Sequence, residues 1–355
     1  MSQVSAASTT SEGVQSHPGW FGAVMSTAIL ASILNLEATI VSWAWLTDVA
    51  AFLLILTSLL SVVLVIPYLR RLRARGPLLA EIGDPVRGPM LATFPAGVVL
   101  LASAWGTVGP AVIATETAMA IDAVLVTVGA VLALGFSVLW NASTLRGEQG
   151  LSAVNGTWLI PPTCLALVPI ALSPLIQAWP DHAVVLGFIG MLFFGAGLVI
   201  ALAMLAVLVA RLILHPKVAP ALAPSMWVPL APGGVLGIAA IRLAVAENEA
   251  AVVSKSVIDV AALFALIGLG FAVWWALFAT VDLVRMRRTK RIPFQPGWWA
   301  FLFPPSAVVL SFMWLQDIFD ITELTWLTVV LVAGLLVLWA VVLLRSIPLL
   351  RDALR

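Results

Sequence analysis

Charge is what this chain has least of. Lys, Arg, Asp and Glu make up 10% of its 355 residues, while 62% are hydrophobic; soluble domains carry about 25% charge. With a mean hydropathy of +1.11, a soluble globular protein is excluded. Cysteine occurs once, as Cys164 in an apolar run, which excludes a disulfide framework and a cysteine-based metal centre. The three histidines, His17, His182 and His215, are far apart, so a histidine-rich metal site is not expected. A net charge of +1 gives no reason to expect nucleic acid as a partner. No His-Glu-x-x-His motif, Walker-type glycine loop or Ser–His–Asp set at membrane depth occurs, so neither enzymatic chemistry nor a cofactor is expected. A membrane-embedded enzyme or receptor would need a buried polar constellation, and none is visible. Gly233, Gly234 and Gly237 lie within an apolar span, where helix packing explains them better than phosphate binding.

Long apolar runs are abundant. Hydropathy marks ten, at roughly 19–37, 43–69, 88–109, 117–144, 156–179, 183–213, 222–245, 257–284, 296–316 and 323–347. Each is long enough to cross ~30 Å of hydrocarbon at ~1.5 Å per residue. Lipid offers no hydrogen-bond partners, and the runs are too long and uniformly apolar for barrel strands, so all-α is the expected class. Residues 1–17 are polar, rich in Ser and Thr and free of Lys and Arg. They read as a disordered cytoplasmic tail rather than a cleavable signal. The transmembrane domain is expected over 18–348, and 349–355 as a short cytoplasmic tail.

Cations set the orientation. Sixteen of the 18 Lys and Arg follow even-numbered spans: Arg70, Arg71, Arg73, Arg75 and Arg87; Arg146; Arg211 and Lys217; Arg285, Arg287, Arg288, Lys290 and Arg291; Arg345, Arg351 and Arg355. Only Arg242 and Lys255 fall on the other side, with 11 of the 17 acids, Glu116, Asp181, Glu247 and Asp317 among them. The positive-inside rule then places both termini in the cytoplasm, in a multi-pass protein of the plasma (inner) membrane. The Arg285–Arg291 and Arg70–Arg75 clusters read as orientation signals in contact with lipid headgroups.

The odd spans begin alike: His17-Pro18-Gly19-Trp20-Phe21, Gly88-Pro89-Met90, Asn155-Gly156-Thr157-Trp158, Ala223-Pro224-Ser225-Met226-Trp227 and Gln295-Pro296-Gly297-Trp298-Trp299. From Pro18 the successive offsets are 71 to Pro89, 67 to Gly156, 68 to Pro224 and 72 to Pro296. Five units of near-constant length imply five helical hairpins inserted in one sense, hence a quasi-fivefold ring.

Proline separates the two kinds of span. Even spans carry it only at or beyond their basic ends, at Pro67, Pro216 and Pro348. Odd spans carry Pro95, then Pro161, Pro162 and Pro169, then Pro229 and Pro232, then Pro304 and Pro305; the first has Pro18 at its start. A proline-kinked helix exposes carbonyls, which the bilayer tolerates only beside protein or a water-filled cavity. The odd helices are therefore expected to line a central pore and the even helices to sleeve them, with Thr27, Pro95, Pro161, Pro229 and Pro304 as lining candidates. No ionisable residue sits in the middle two turns of any odd span, so a cation filter and an intramembrane coupling charge are not expected. Hydroxyls, backbone amides and helix ends suit a small inorganic or organic anion.

His17-Pro18-Gly19-Trp20-Phe21-Gly22-Ala23-Val24-Met25 and Trp298-Trp299-Ala300-Phe301-Leu302-Phe303-Pro304 resemble the tellurite-resistance/dicarboxylate transporter family, and the resemblance covers about residues 17–350. Its members include bacterial tellurite-resistance permeases, fungal malate permeases and sulfite exporters, and plant slow anion channels. The resemblance implies a homotrimer of five-hairpin rings, each with an anion pore plugged midway by a ninth-helix phenylalanine. By its place before proline that residue is Phe303, with Phe301 as its rival by register and Phe94, before Pro95, as a further aromatic lining candidate. Two departures stand out: Ser26-Thr27-Ala28 replaces a Gly-Thr-Gly step, and Pro305 doubles a single proline. The expected function is a passive anion channel or exporter. The alternative is a proton-coupled dicarboxylate (malate-like) or sulfite transporter.

Overall fold

The computed structural model describes residues 17–73, 81–146 and 149–354; the tail expected at the N-terminus, except His17, and Arg75 and Arg355 lie outside them. Among the described residues the regular structure is entirely helical. Among them, ten helical spans are long and apolar enough to cross a membrane, the odd ones counted with the short segment that opens each. Their long helices are α1 Gly22–Val41, α2 Trp45–Arg73, α3 Thr93–Thr107, α4 Thr115–Thr144 and α5 Ile160–Ala178, followed by α6 Ala183–Leu214, α7 Leu230–Glu249, α8 Lys255–Thr289, α9 Phe303–Ile318 and α10 Thr325–Leu354.

The prolines do something other than kink. Every odd helix is preceded by a short, separate helical segment: 3-10 turns at Pro18–Phe21, Gly156–Leu159, Pro220–Trp227 and Pro296–Phe301, and one α-helical turn at Arg87–Met90. Pro95 is the third residue of α3, Pro161 and Pro162 the second and third of α5, Pro232 the third of α7, and Pro304 and Pro305 the second and third of α9. First-turn N–H groups have no intrahelical acceptor, so proline there costs nothing and presets φ. These prolines mark the seam between the opening turn and the long helix rather than a break in its interior; Pro169 and Pro174 alone lie inside an odd helix, α5. Two even helices also outrun their prolines. α2 and α10 continue six residues past Pro67 and Pro348, to Arg73 and Leu354.

The opening turns are tied unit to unit at the basic end. Thr93 Oγ1 donates to the Pro18 carbonyl at 2.9 Å, and Trp158 Nε1 to the Pro85 carbonyl at 2.8 Å. Gln295 Nε2 donates to the Ala221 carbonyl. His17 caps its own turn, with Nδ1 accepting from the Gly19 amide at 3.0 Å.

Each odd helix packs on the even helix that follows it, and each even helix also touches the next odd one, α10 returning to α1. The odd helices touch one another in sequence: α1 on α3, α3 on α5, α5 on α7, α7 on α9, and α9 on α1. Burial divides the two sets. Between 67% and 94% of the most apolar stretch of each odd span is buried, against 22% to 28% for the even spans. Leu59, Phe188, Ile267 and Trp326 on even helices stay exposed. Each such side chain left in water forgoes roughly 1.5–3 kcal/mol, so this surface belongs in lipid. Closest approach between odd helices needs glycine. A Cβ on Gly234 of α7 would sit 2.6 Å from the Ala307 carbonyl carbon of α9, in keeping with a packing role for that glycine cluster.

Candidate functional site: two cavities in one helical register

Two cavities lie at opposite ends of the odd helices, and all five repeat units contribute to both. The one at the basic end has a volume of about 60 Å³. Its lining follows the repeat. One residue after Pro18, Pro89, Gly156, Pro224 and Pro296 come Gly19, Met90, Thr157, Ser225 and Gly297, and all five line it. Four residues after come Gly22, Thr93, Ile160, Val228 and Ala300; seven after come Met25, Ala96, Thr163, Ala231 and Phe303. All ten line it too. Steps of three keep these positions on one helix face. In the seventh-position layer Phe303 is the largest side chain, and only 6% of its surface is exposed.

The same face continues inward. Positions eleven and fourteen give Ile29, Leu100, Leu167, Val235 and Ala307, then Ser32, Ser103, Ile170, Ile238 and Leu310. None is ionisable, and all but Ser32 are buried. Eighteen residues on, Leu36, Thr107, Pro174, Arg242 and Trp314 line the second cavity, of about 280 Å³, at the acidic end. Eleven residues separate the seventh and eighteenth layers, about 16 Å of helix. The two cavities are thus divided by an uncharged, mostly apolar waist with Phe303 on its basic side.

Among the described residues Arg242 is the one cation lining the wider cavity, in company with Ser32, Asn35, Thr107, Ser173 and Gln177. It is 8% exposed, and its guanidinium carbon lies 5.9 Å from the centre of the Trp314 ring. Among the described residues it makes no hydrogen bond or ion pair. Behind the wall stands Asp122 of α4, fully buried, with neither carboxylate oxygen hydrogen-bonded. A Cβ on Gly106 would meet Asp122 Oδ2 at 2.3 Å and Pro174 Cγ at 2.8 Å. Gly106 and Pro174 both line the cavity, so the carboxylate sits directly behind the lining. Asp122 and Arg242 thus meet the same cavity wall, one behind it and one in it. Each lies seven residues, about 10 Å, inside the acidic-end terminus of its helix.

Of the lining candidates taken from sequence, Phe303 and Pro304 border the basic-end cavity. The others are placed elsewhere. Thr27 Oγ1 donates to the Ala23 carbonyl and accepts from Trp339 Nε1 of α10 at 3.0 Å, so it faces the sleeve. Phe94 packs edge-on against Phe21, ring centres 4.8 Å apart, in a cluster with Leu64 of α2. By register it is two residues short of Phe303; the counterpart of Phe303 is Ala96. Phe301 lies edge-on to Trp227 and Trp298. Pro95, Pro161 and Pro229 are buried where the opening turns join the helices, and none borders either cavity. Arg242 and Asp122 were missed from sequence: Arg242 enters there only as one of two cations on the outer side, and Asp122 is not singled out. For Arg242 the signal was present: it stands at the eighteenth position of its repeat.

Residues 15–347 match the family described as voltage-dependent anion channel, SLAC1. The chain belongs to that family. SLAC1 members are anion transporters or channels, so this is a multi-pass anion transporter and not an enzyme. An uncharacterized transporter of Methanocaldococcus jannaschii is 30% identical over 335 residues, covering 93% of this chain and 92% of its own. A second from the same organism is 28% identical over 336 residues, covering 92% and 93%. The sulfite efflux pump SSU1 of Arthroderma otae is 25% identical over 308 residues, covering 81% of this chain and 78% of its own.

Proposed function

We propose that this protein passes small anions, oxoanions such as sulfite among them, along the line joining the two cavities, with Phe303 as the gate. One observation carries the reading: five repeat units place the same register positions around each cavity. A shared register on five mutually contacting helices is what a central path enclosed by a fivefold ring requires. The apolar waist would hold that path shut by steric block and dewetting. Arg242 would draw anions to the acidic-end mouth. By the positive-inside rule the basic end faces the cytoplasm of a plasma membrane. The exposed faces of the even helices are available for the homotrimer typical of the family. Reconstituted into liposomes, the protein is expected to give sulfite, chloride, nitrate or malate currents whose reversal potentials follow the anion gradient. A panel in which no anion moves would sink this reading.

Arg242 and Asp122 favour a second reading, proton-linked transport of a sulfite- or malate-like anion. An ionised Asp122 offsets the charge of Arg242, and protonating it leaves Arg242 free to hold an anion. Few other groups stand near. α3 carries no titratable side chain and α5 only Cys164, at the other cavity. Glu37 accepts from Thr328 of α10, Glu247 lies against Gly187 of α6, and Glu249 accepts from Gln177. Lys255, Asp259 and Asp317, at the same end of α8 and α9, are exposed. Flux is therefore expected to rise as pH falls, and Asp122→Asn to hold it at the low-pH level throughout. A pH profile unchanged in Asp122→Asn would leave the passive reading alone.

A further inference from the structure

A third cavity, of about 230 Å³, shares no lining residue with the other two and lies between the basic ends of the sleeve helices α6 and α8. It is lined by Arg211, Lys217, Met226, Asp282 and Arg285, with Phe278 and Val281 beside them. Arg211 is the anomaly. It is 5% exposed, and its Nε and Nη1 have no hydrogen-bond partner. A buried guanidinium without a counter-charge costs several kcal/mol. Among the described residues no ion pair joins Arg211 to Asp282, whose Oδ1 is held instead by Lys217 Nζ at 2.5 Å. Three cations therefore meet one acid, leaving two positive charges around a space large enough for a phosphate group.

The surroundings point to the source of the phosphate. Phe278, Val281, Ile213 and Leu214 are exposed apolar residues at this end of α6 and α8. A ligand with its head at Arg211 would lay hydrocarbon along them. We propose that this cavity binds the phosphate headgroup of an anionic phospholipid, with Arg211 as the buried anchor and Lys217 and Arg285 at the rim. Guanidinium–phosphate pairing satisfies planar donors two at a time, which a lysine rim alone does not. Basic pockets between helices at the headgroup level are suited to such lipids.

The test is native mass spectrometry and thermal melting of the full chain in neutral detergent. Phosphatidylglycerol, phosphatidylcholine or inorganic phosphate is added to each sample. Phosphatidylglycerol is expected to bind and stabilise, with Arg211→Met weakening its binding by about tenfold or more, the scale of a lost charge-assisted hydrogen bond. In the lipid-free state Arg211→Met should melt above the wild type, because it removes an uncompensated buried charge, and saturating phosphatidylglycerol should reverse that order. Should Arg211→Met fail to fold, the exposed pair Lys217→Gln and Arg285→Gln together must weaken the lipid by a similar factor. Equal binding of phosphatidylcholine, equal stabilisation by inorganic phosphate, or indifference of phosphatidylglycerol to these substitutions would overturn the assignment.

Discussion

Replacing Phe303 with alanine is expected to raise anion flux through the reconstituted protein by on the order of tenfold or more, since each ~1.4 kcal/mol taken off a barrier is a factor of ten. Phe303 is the largest side chain in a layer otherwise made of Met25, Ala96, Thr163 and Ala231. Truncation would leave that layer with one flexible thioether and four small side chains, widening and wetting the basic side of the waist. Packing is not spared. A buried Phe→Ala change costs ~3–5 kcal/mol in a well-packed core, but this ring borders an existing cavity, so part of that cost is already absent. Phe303→Leu, which keeps most of the volume, should fall between wild type and alanine. Single-channel or liposome efflux recordings normalised to folded protein check the order. Alanine and wild-type fluxes that coincide would remove Phe303 as the gate.

Neutralising Arg242 should have the opposite effect. Among the described residues it is the only cation lining the acidic-end cavity, and it makes no compensating hydrogen bond or ion pair there. Arg242→Gln is expected to lower flux about tenfold at low anion concentration, with less loss at saturation. That split follows from losing one charge-assisted contact to the anion, worth ~1.5–3 kcal/mol. Arg242→Lys keeps the charge and gives up the planar fork of donors beside the Trp314 ring, so it should recover part of the loss. Concentration-dependent flux measurements separate these cases. An unchanged concentration dependence in Arg242→Gln would show that anions do not pause there.

Much of this architecture was legible in the residues, for identifiable reasons. Bilayer thickness sets span length, so ten apolar runs translate directly into ten helices. The spacing from Pro18 to Pro89, Gly156, Pro224 and Pro296 carries the cavity lining as well, because positions one, four and seven after each marker share a face. The prolines misled because their constraint is local. Pro95, Pro161 and Pro229 define how the chain turns into its helix, and that need is met without facing the cavity. Phe94 misled for a related reason: adjacency to proline is a weaker guide than distance from the repeat marker. Thr27 looked like pore hydroxyl but serves as acceptor for Trp339 of the sleeve, a partner some three hundred residues away that no local pattern announces. Asp122 was out of reach because its neighbours, Gly106 on the preceding helix and Pro174 in the next unit, meet it only in the folded chain.

On the proposed path the wall would be built five times over, yet the one ring in the layer bordering the basic-end cavity is supplied once. That layer would not have to dilate as a whole to clear. One rotamer change on one stave, a motion far faster than rearrangement of a packed bundle, would open it, leaving the buried Leu, Ile and Val side chains behind it as the remaining barrier. A regulator of that first step could therefore act through α9 alone.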